Sequence, residues 1–187
     1  MSRPDPNWND LYQVASAQGG LFTTKQAAST GYSPQLLAHH VHAGRIASVR
    51  RGIYRLVHFP TAEQEELIEI WLWSEGEGVF SHQTALSLED LSDALPAQIH
   101  MTVPRAWKAR RLRVPKKVVL EYAELPRSDR TWIGSVPVTT PMRTLIDCAN
   151  AHVSPELVAQ AIVQARHRGL VAPMDLARIK RMMRVHT

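Results

Sequence analysis

Several things that define whole classes of protein are scarce or absent in this sequence. There is one cysteine in 187 residues, Cys148, so no intramolecular disulfide can form and a reducing compartment, the cytoplasm, is the expected setting. Cys148 itself falls in a helical apolar pattern and is expected to be a small buried hydrophobe. No apolar run approaches the ~20 residues that cross a bilayer: Leu67 to Trp73 is short and is broken by Glu69, so no membrane partner is expected. The start of the chain, MSRPDPNWND, has neither an apolar h-region nor a cleavage site, and export is not expected.

The common catalytic motifs are missing as well. There is no Walker loop and no Gly-x-Gly-x-x-Gly, and no Gly-x-Ser-x-Gly elbow surrounds Ser81-His82. No Glu-x-Lys triplet occurs, which excludes a nuclease site of the Asp…Glu-x-Lys kind, and no carboxylate pair is placed for acid–base work. The nine histidines form no spaced set with cysteine or carboxylate that resembles a zinc site. Ser81-His82 is read as a helix N-cap serine followed by a satisfied histidine. No catalytic residue, metal or cofactor is therefore expected, and the chain is expected not to be an enzyme.

Charge of one sign is missing from the middle of the chain. Residues 61–104 hold nine acids and no lysine or arginine, whereas residues 1–60 balance at +4 and residues 105–187 at +10. Two basic surfaces separated by an acidic element are implied, and basic surfaces point to polyanions.

Against these absences stands Phe22 to Leu56, FTTKQAASTGYSPQLLAHHVHAGRIASVRRGIYRL. Thr23-Thr24-Lys25-Gln26 fits a capping box and starts a short helix that Thr30-Gly31 breaks. Ser33 can cap a second helix with Pro34 at its first position, where a missing N–H costs nothing, and Gly44 can end it. At ~100° per residue, Leu36, Leu37, His40 and Val41 gather on the side expected to pack. Gln35, Ala38, His39 and His42 gather on the other, with Arg45 just beyond the cap. Ile46-Ala47-Ser48-Val49 and Ile53-Tyr54-Arg55-Leu56 flank Arg51-Gly52 as a hairpin, and Leu11, Val14, Leu21 and Phe22 would complete a small core with a helix near Trp8 to Gln18. This outline is that of a winged helix-turn-helix, which lays one helix in the DNA major groove and a basic ribbon along the phosphates. The expected recognition-helix contacts are Ser33, Gln35, Ala38, His39, His42 and Arg45. The expected wing contacts are Arg50, Arg51 and Arg55.

The fold class expected is α+β: a winged helix-turn-helix domain over residues 1–60, then a second α+β domain over 61–187 with a small sheet and several helices. The boundary is set at Pro60, because Thr61-Ala62-Glu63-Gln64 could cap a new helix carrying Leu67, Ile70, Trp71 and Ser74. A helix is read over Ser81 to Leu91. Strands are read at Gln98 to Val103, Lys117 to Glu124 and Ile133 to Val138, and helices at Thr140 to Ala149, Pro155 to Arg168 and Pro173 to Arg184. Between the first two strands lies Arg105-Ala-Trp-Lys-Ala-Arg-Arg-Leu-Arg-Val-Pro-Lys-Lys117, with seven basic residues of thirteen. It is read as a loop or irregular hairpin. Arg105, Lys108, Arg110, Arg111, Arg113, Lys116 and Lys117 form a second candidate basic patch, for phosphates (with Trp107 packing on a sugar or a lysine stem) or for an acidic protein. The glutamates of the helix at 61–75 are expected to point to solvent.

The run LFTTKQAASTGYSPQLLAHHVHAGRIASVRRGIYRL resembles the N-terminal winged-helix domain of AbiEi-type antitoxins of bacterial type IV toxin–antitoxin systems. The segments SHQTALSLEDLSD, IHMTVPR and GSVPVTTPMRTLIDCA resemble those that follow it in the same family. The resemblance spans roughly residues 8–150. It implies a repressor that binds repeated double-stranded sites in its own promoter and antagonises a nucleotidyltransferase-like toxin of the AbiEii type, with or without direct contact. Related chains often continue into a nuclease-like domain. Here two helices follow the TPMRTLIDCA segment instead, which favours a stand-alone antitoxin. The alternative is a winged-helix transcriptional regulator without a toxin partner.

Overall fold

The computed structural model describes residues 5–175, 177 and 179, and the chain divides into two compact units, 1–76 and 77–187. The first unit opens with α1 (Trp8–Ser16), whose free N–H groups at Asn9 and Asp10 donate to the Asn7 side chain. β1 (Leu21–Thr23) runs into α2 (Thr24–Ser29) through the capping box expected at Thr23 and Gln26. α3 (Pro34–His42) starts at Ser33, whose hydroxyl accepts from the Leu36 N–H at 3.0 Å, and stops before Gly44 at φ +69°. β2 (Ile46–Arg50) and β3 (Ile53–Leu56) form the hairpin, with Gly52 at φ +77° in its turn. β1 and β2 pair antiparallel to either side of β3. A bulge between Ser48 and Arg50 bends the ribbon near its tip.

Strand periodicity of two sorts this sheet's residues onto two faces. Phe22, Ile46 and Leu56 join Leu11, Ala15, Ala27, Tyr32 and Leu37 in one core. Leu21 and Ile53, pointing the other way, are equally buried. They are covered by α4 (Glu65–Trp73), which packs on β1 and β3 and buries Ile68, Ile70 and Leu72. The approach needs glycine at two points: a Cβ on Gly19 would meet Ala62 and Ile68 at 2.8 Å, and one on Gly20 would meet the Phe59 ring at 2.7 Å.

Two expectations are corrected by this packing. The division falls after Gly76 and not at Pro60, because α4 supplies the apolar cover that the three-stranded sheet lacks on its second face. The 61–64 capping box does not form either. The helix begins at Glu65 with no side-chain cap, and Thr61 Oγ1 instead accepts from Arg55 at 3.1 Å.

In the second unit β4 (Val79–Phe80), β5 (Ile99–Val103), β6 (Val118–Tyr122), β7 (Arg130–Ile133) and β8 (Val136–Thr139) form one sheet in the order β6-β5-β4-β8-β7. β5–β6 and β4–β8 are parallel pairs, and the other two are antiparallel. The strand expected over Ile133 to Val138 is a β7–β8 hairpin, since Gly134 at φ +58° turns the chain. The segment between β5 and β6 joins parallel strands and is a crossover, not a hairpin. α5 (His82–Leu88), α6 (Pro141–Asn150) and α7 (Pro155–His167) share a core of Leu86, Leu91, Leu145, Cys148, Val158, Ile162 and Ile179. Cys148 is fully buried, and its thiol is pushed up to about 12 by burial and the nearby acids, as an inert core residue would be. The helix read over Pro173 to Arg184 lies mostly outside the described residues.

Candidate nucleic-acid interface

α3 presents two chemically different faces. Leu37 is fully buried, and Leu36, His40 and Val41 are half-buried against the core. His40 stacks on Trp8 and tilts against Tyr32, each at 5.6 Å between ring centroids. Burial first, then the Arg45 and His39 charges, hold its pKa below the usual histidine value, so His40 supports the helix as a neutral ring. On the other face Gln35, Ala38, His39, His42 and Arg45 are all exposed. His42 turns its Nδ1 back to the Ala38 carbonyl at 2.7 Å, which leaves Nε2 outward. Ser33 is half-buried and spends its oxygen on capping.

The hairpin separates its three arginines. Arg51 is exposed at the tip, beside Gly52, whose carbonyl accepts from the Thr24 N–H at 2.9 Å and anchors the turn to the start of α2. Arg55 lies on the same face of β3 as Ile53, the face that α4 covers. It pairs with Glu65 at 3.1 Å and donates to the Phe59 carbonyl and Thr61 Oγ1, with its side chain 18% exposed. Arg50, level with Ile53 across the ladder, meets Glu69 at 2.5 Å. Arg55 is therefore not the free wing-face cation that was expected: it lies under α4, paired with Glu65 and donating through Nη2 to the Phe59 carbonyl and Thr61. Arg50 is half committed in the same way. The expectation that the glutamates of this helix point to solvent is also corrected, because Glu65 and Glu69, four residues apart, cover the two arginines. Glu65, Glu69 and Thr24 were missed as the groups that set the wing. The four-residue glutamate spacing opposite Arg50 and Arg55 was the available clue.

In the second unit the cations of the 104–117 crossover, Arg105, Lys108, Arg110, Arg111, Arg113, Lys116 and Lys117, are all exposed. Trp107 is not available to pack on a sugar. It is 2% exposed, its Nε1 donates to Glu77 at 3.1 Å, and the Arg110 guanidinium lies over its ring at 4.2 Å. The tryptophan nails the crossover to the sheet and leaves its charges outside.

Ser81 and His82 sit in a closed polar cluster. Ser81 occupies the N-cap position of α5 without capping it; its oxygen lies 3.0 Å from His82 Nδ1 and accepts from Thr102 Oγ1 at 2.8 Å. Burial lowers His82 to about 4, so the ring stays neutral. Among the described residues no group of three or more His, Cys, Asp or Glu is arranged to hold a metal ion.

The first unit is by its fold a winged helix-turn-helix, and the second packs α5, α6 and α7 with a mixed sheet that has five strands among the described residues. Residues 9–57 match the family described as "Transcriptional regulator, AbiEi antitoxin", the same family that the sequence of this segment resembles. The fold is similar to that of the RV2827C protein from Mycobacterium tuberculosis, with a TM-score of 0.54 over 95% of this chain and 72% of that one. At 15% identity the likeness is one of fold alone. No curated protein matches the sequence. No helix among the described residues is long and apolar enough to cross a membrane.

Proposed function

We propose that this chain is a DNA-binding antitoxin that represses its own operon in the cytoplasm. α3 enters the major groove with Gln35, Ala38, His39, His42 and Arg45 toward base edges, and Arg51 at the wing tip meets the phosphates. The observation that carries this reading is the exposed polar face of α3, which runs on through Arg45 toward a wing whose tip carries an exposed arginine. The family matched by residues 9–57 supports the regulator half of the proposal. The antitoxin half extends it: the second unit antagonises a nucleotidyltransferase-like toxin of the AbiEii type, with the exposed cations of residues 105–117 as its polyanion-facing or partner-facing surface. The test is fluorescence anisotropy on the chain's own upstream DNA against a scrambled fragment of equal length. Preference for the upstream fragment, lost in a Gln35→Ala/His39→Ala double variant, is the expected result. Equal binding of both fragments by the unaltered protein would refute autorepression, and failure to rescue growth beside its co-expressed neighbouring gene would refute the antitoxin role.

A further inference from the structure

The first unit contains a cleft of about 470 Å³ lined by Trp8, Tyr12, Arg45, Leu56, His58 and Phe59. It exists because of a local pairing: the Val57 N–H donates to the Arg45 carbonyl at 3.1 Å, which brings the end of α3 beside the segment that leaves β3. The walls are apolar and held in place. Trp8 is stacked on His40 and edge-on to Tyr32 at 6.4 Å, while Tyr12 meets Phe59 edge-on at 6.1 Å, and Phe59 rests on Gly20. Trp8 and Tyr12 are nevertheless 38% and 47% exposed, an unusual share for two large rings on one helix. The basic groups lining this cleft are the Arg45 guanidinium and the His58 imidazole, beside the Tyr12 hydroxyl and the Trp8 indole N–H, and no lining residue is a carboxylic acid. The volume falls within the range of small-molecule sites, with rings for area and a few polar groups for orientation.

We infer that this cleft binds a small planar aromatic acid, its ring between Tyr12, Trp8 and Phe59 and its carboxylate on Arg45. A carboxylate matches the guanidinium fork in geometry and charge, which a neutral or cationic ring would not. Occupancy has a consequence that rests on the DNA-binding reading above. Arg45 is one of the groups assigned to the groove, so a ligand that engages it competes with DNA and relieves repression.

The probe is 2-naphthoate, with 2-naphthylmethanol as its uncharged analogue, titrated into the full chain by calorimetry without DNA. Saturable one-site binding of 2-naphthoate, at least tenfold tighter than that of the alcohol, is expected. Arg45→Gln and Tyr12→Ala should each weaken it at least fivefold with unchanged melting temperature, and Tyr12→Ala should keep wild-type affinity for DNA. 2-Naphthoate at about four times its wild-type Kd should lower operator affinity about fivefold in the wild type and less than twofold in Tyr12→Ala at the same ligand concentration. No saturable binding, or equal binding by wild type and both variants, would overturn the site. Tight binding with unchanged operator affinity would overturn the coupling. Because the first titration contains no DNA, failure of the site is distinguishable from failure of the DNA-binding reading.

Discussion

Arg51 and Arg55 stand four positions apart on one hairpin and meet different surroundings. Arg51 projects into water at the tip, whereas Arg55 is held by Glu65, Thr61 and the Phe59 carbonyl. Replacing Arg51 by alanine should weaken binding similarly on every sequence and lower the slope of log affinity against log salt by about one unit, leaving thermal stability unchanged. Replacing Arg55 should leave the salt slope alone and cost roughly 1–2 kcal/mol of stability, because it strands Glu65 and frees the 59–61 segment. Salt titrations and melting curves of the two variants separate the roles, and a lowered slope for Arg55→Ala would place that side chain back on the DNA.

At the scale of the element, helical periodicity gives α3 one face packed on the core and one left exposed, the face proposed above to meet DNA. Alanine at Gln35 or His39 should cost about 1–3 kcal/mol on the cognate site and much less on random DNA. Ser33→Ala should act differently, removing the bond to the Leu36 N–H and destabilising the helix by about 1 kcal/mol without altering sequence preference. Competition binding against random DNA, set beside chemical denaturation, tells the two effects apart. In the second unit α5 ends at Glu89, which is 7% exposed and lifted to about 8 by burial, against the lowering effects of Thr144 and Arg168. Arg168 also donates to the carbonyls of Glu89 and Asp90, so the end of α5 is clamped by the residue that follows α7. A raised carboxyl keeps its proton in the folded state while the unfolded chain has lost it, so stability falls as pH rises toward 8. His82, lowered to about 4, acts in the opposite sense, but only below about pH 6.5. Between pH 6.5 and 8 the carboxyl therefore dominates, and this unit should lose up to about 2 kcal/mol. Glu89→Gln should flatten that fall in a pH series of urea melts; a slope that persists in the variant would exonerate the carboxyl.

For the whole molecule, the division after Gly76 has a direct consequence. α4 buries Ile68, Ile70 and Leu72 on the sheet of the first unit. At roughly 1.5–3 kcal/mol for each fully buried side chain, its removal takes away several kcal/mol, comparable to the stability of a small domain. A fragment of residues 1–76 should melt cooperatively, whereas 1–60 should be largely unfolded in circular dichroism. A stable, cooperative 1–60 fragment would return the boundary to Pro60.

Much of the first unit was legible because its cues are local. The Thr23–Gln26 capping box, Pro34 after Ser33, Gly44 past the helix end and Arg51-Gly52 between two β-prone runs act within a few residues of one another, and the two faces of α3 follow from helical spacing alone. Short elements escaped: β1 and β4, of three and two residues, carry too little periodicity to declare themselves. The β7–β8 turn at Gly134-Ser135 escaped because each arm is only four residues long, so Ile133 to Val138 reads as one short strand. What tertiary structure decided is how each exposed-looking charge is spent. Arg50 and Arg55 have the same chemistry as Arg51, and only the packing of α4 across the sheet puts Glu69 and Glu65 against them. The cleft beside Arg45 likewise depends on residues 8 to 59 meeting in space. Sequence spacing determines which face of an element a side chain occupies, but which other element covers that face is a long-range packing choice that no local pattern contains.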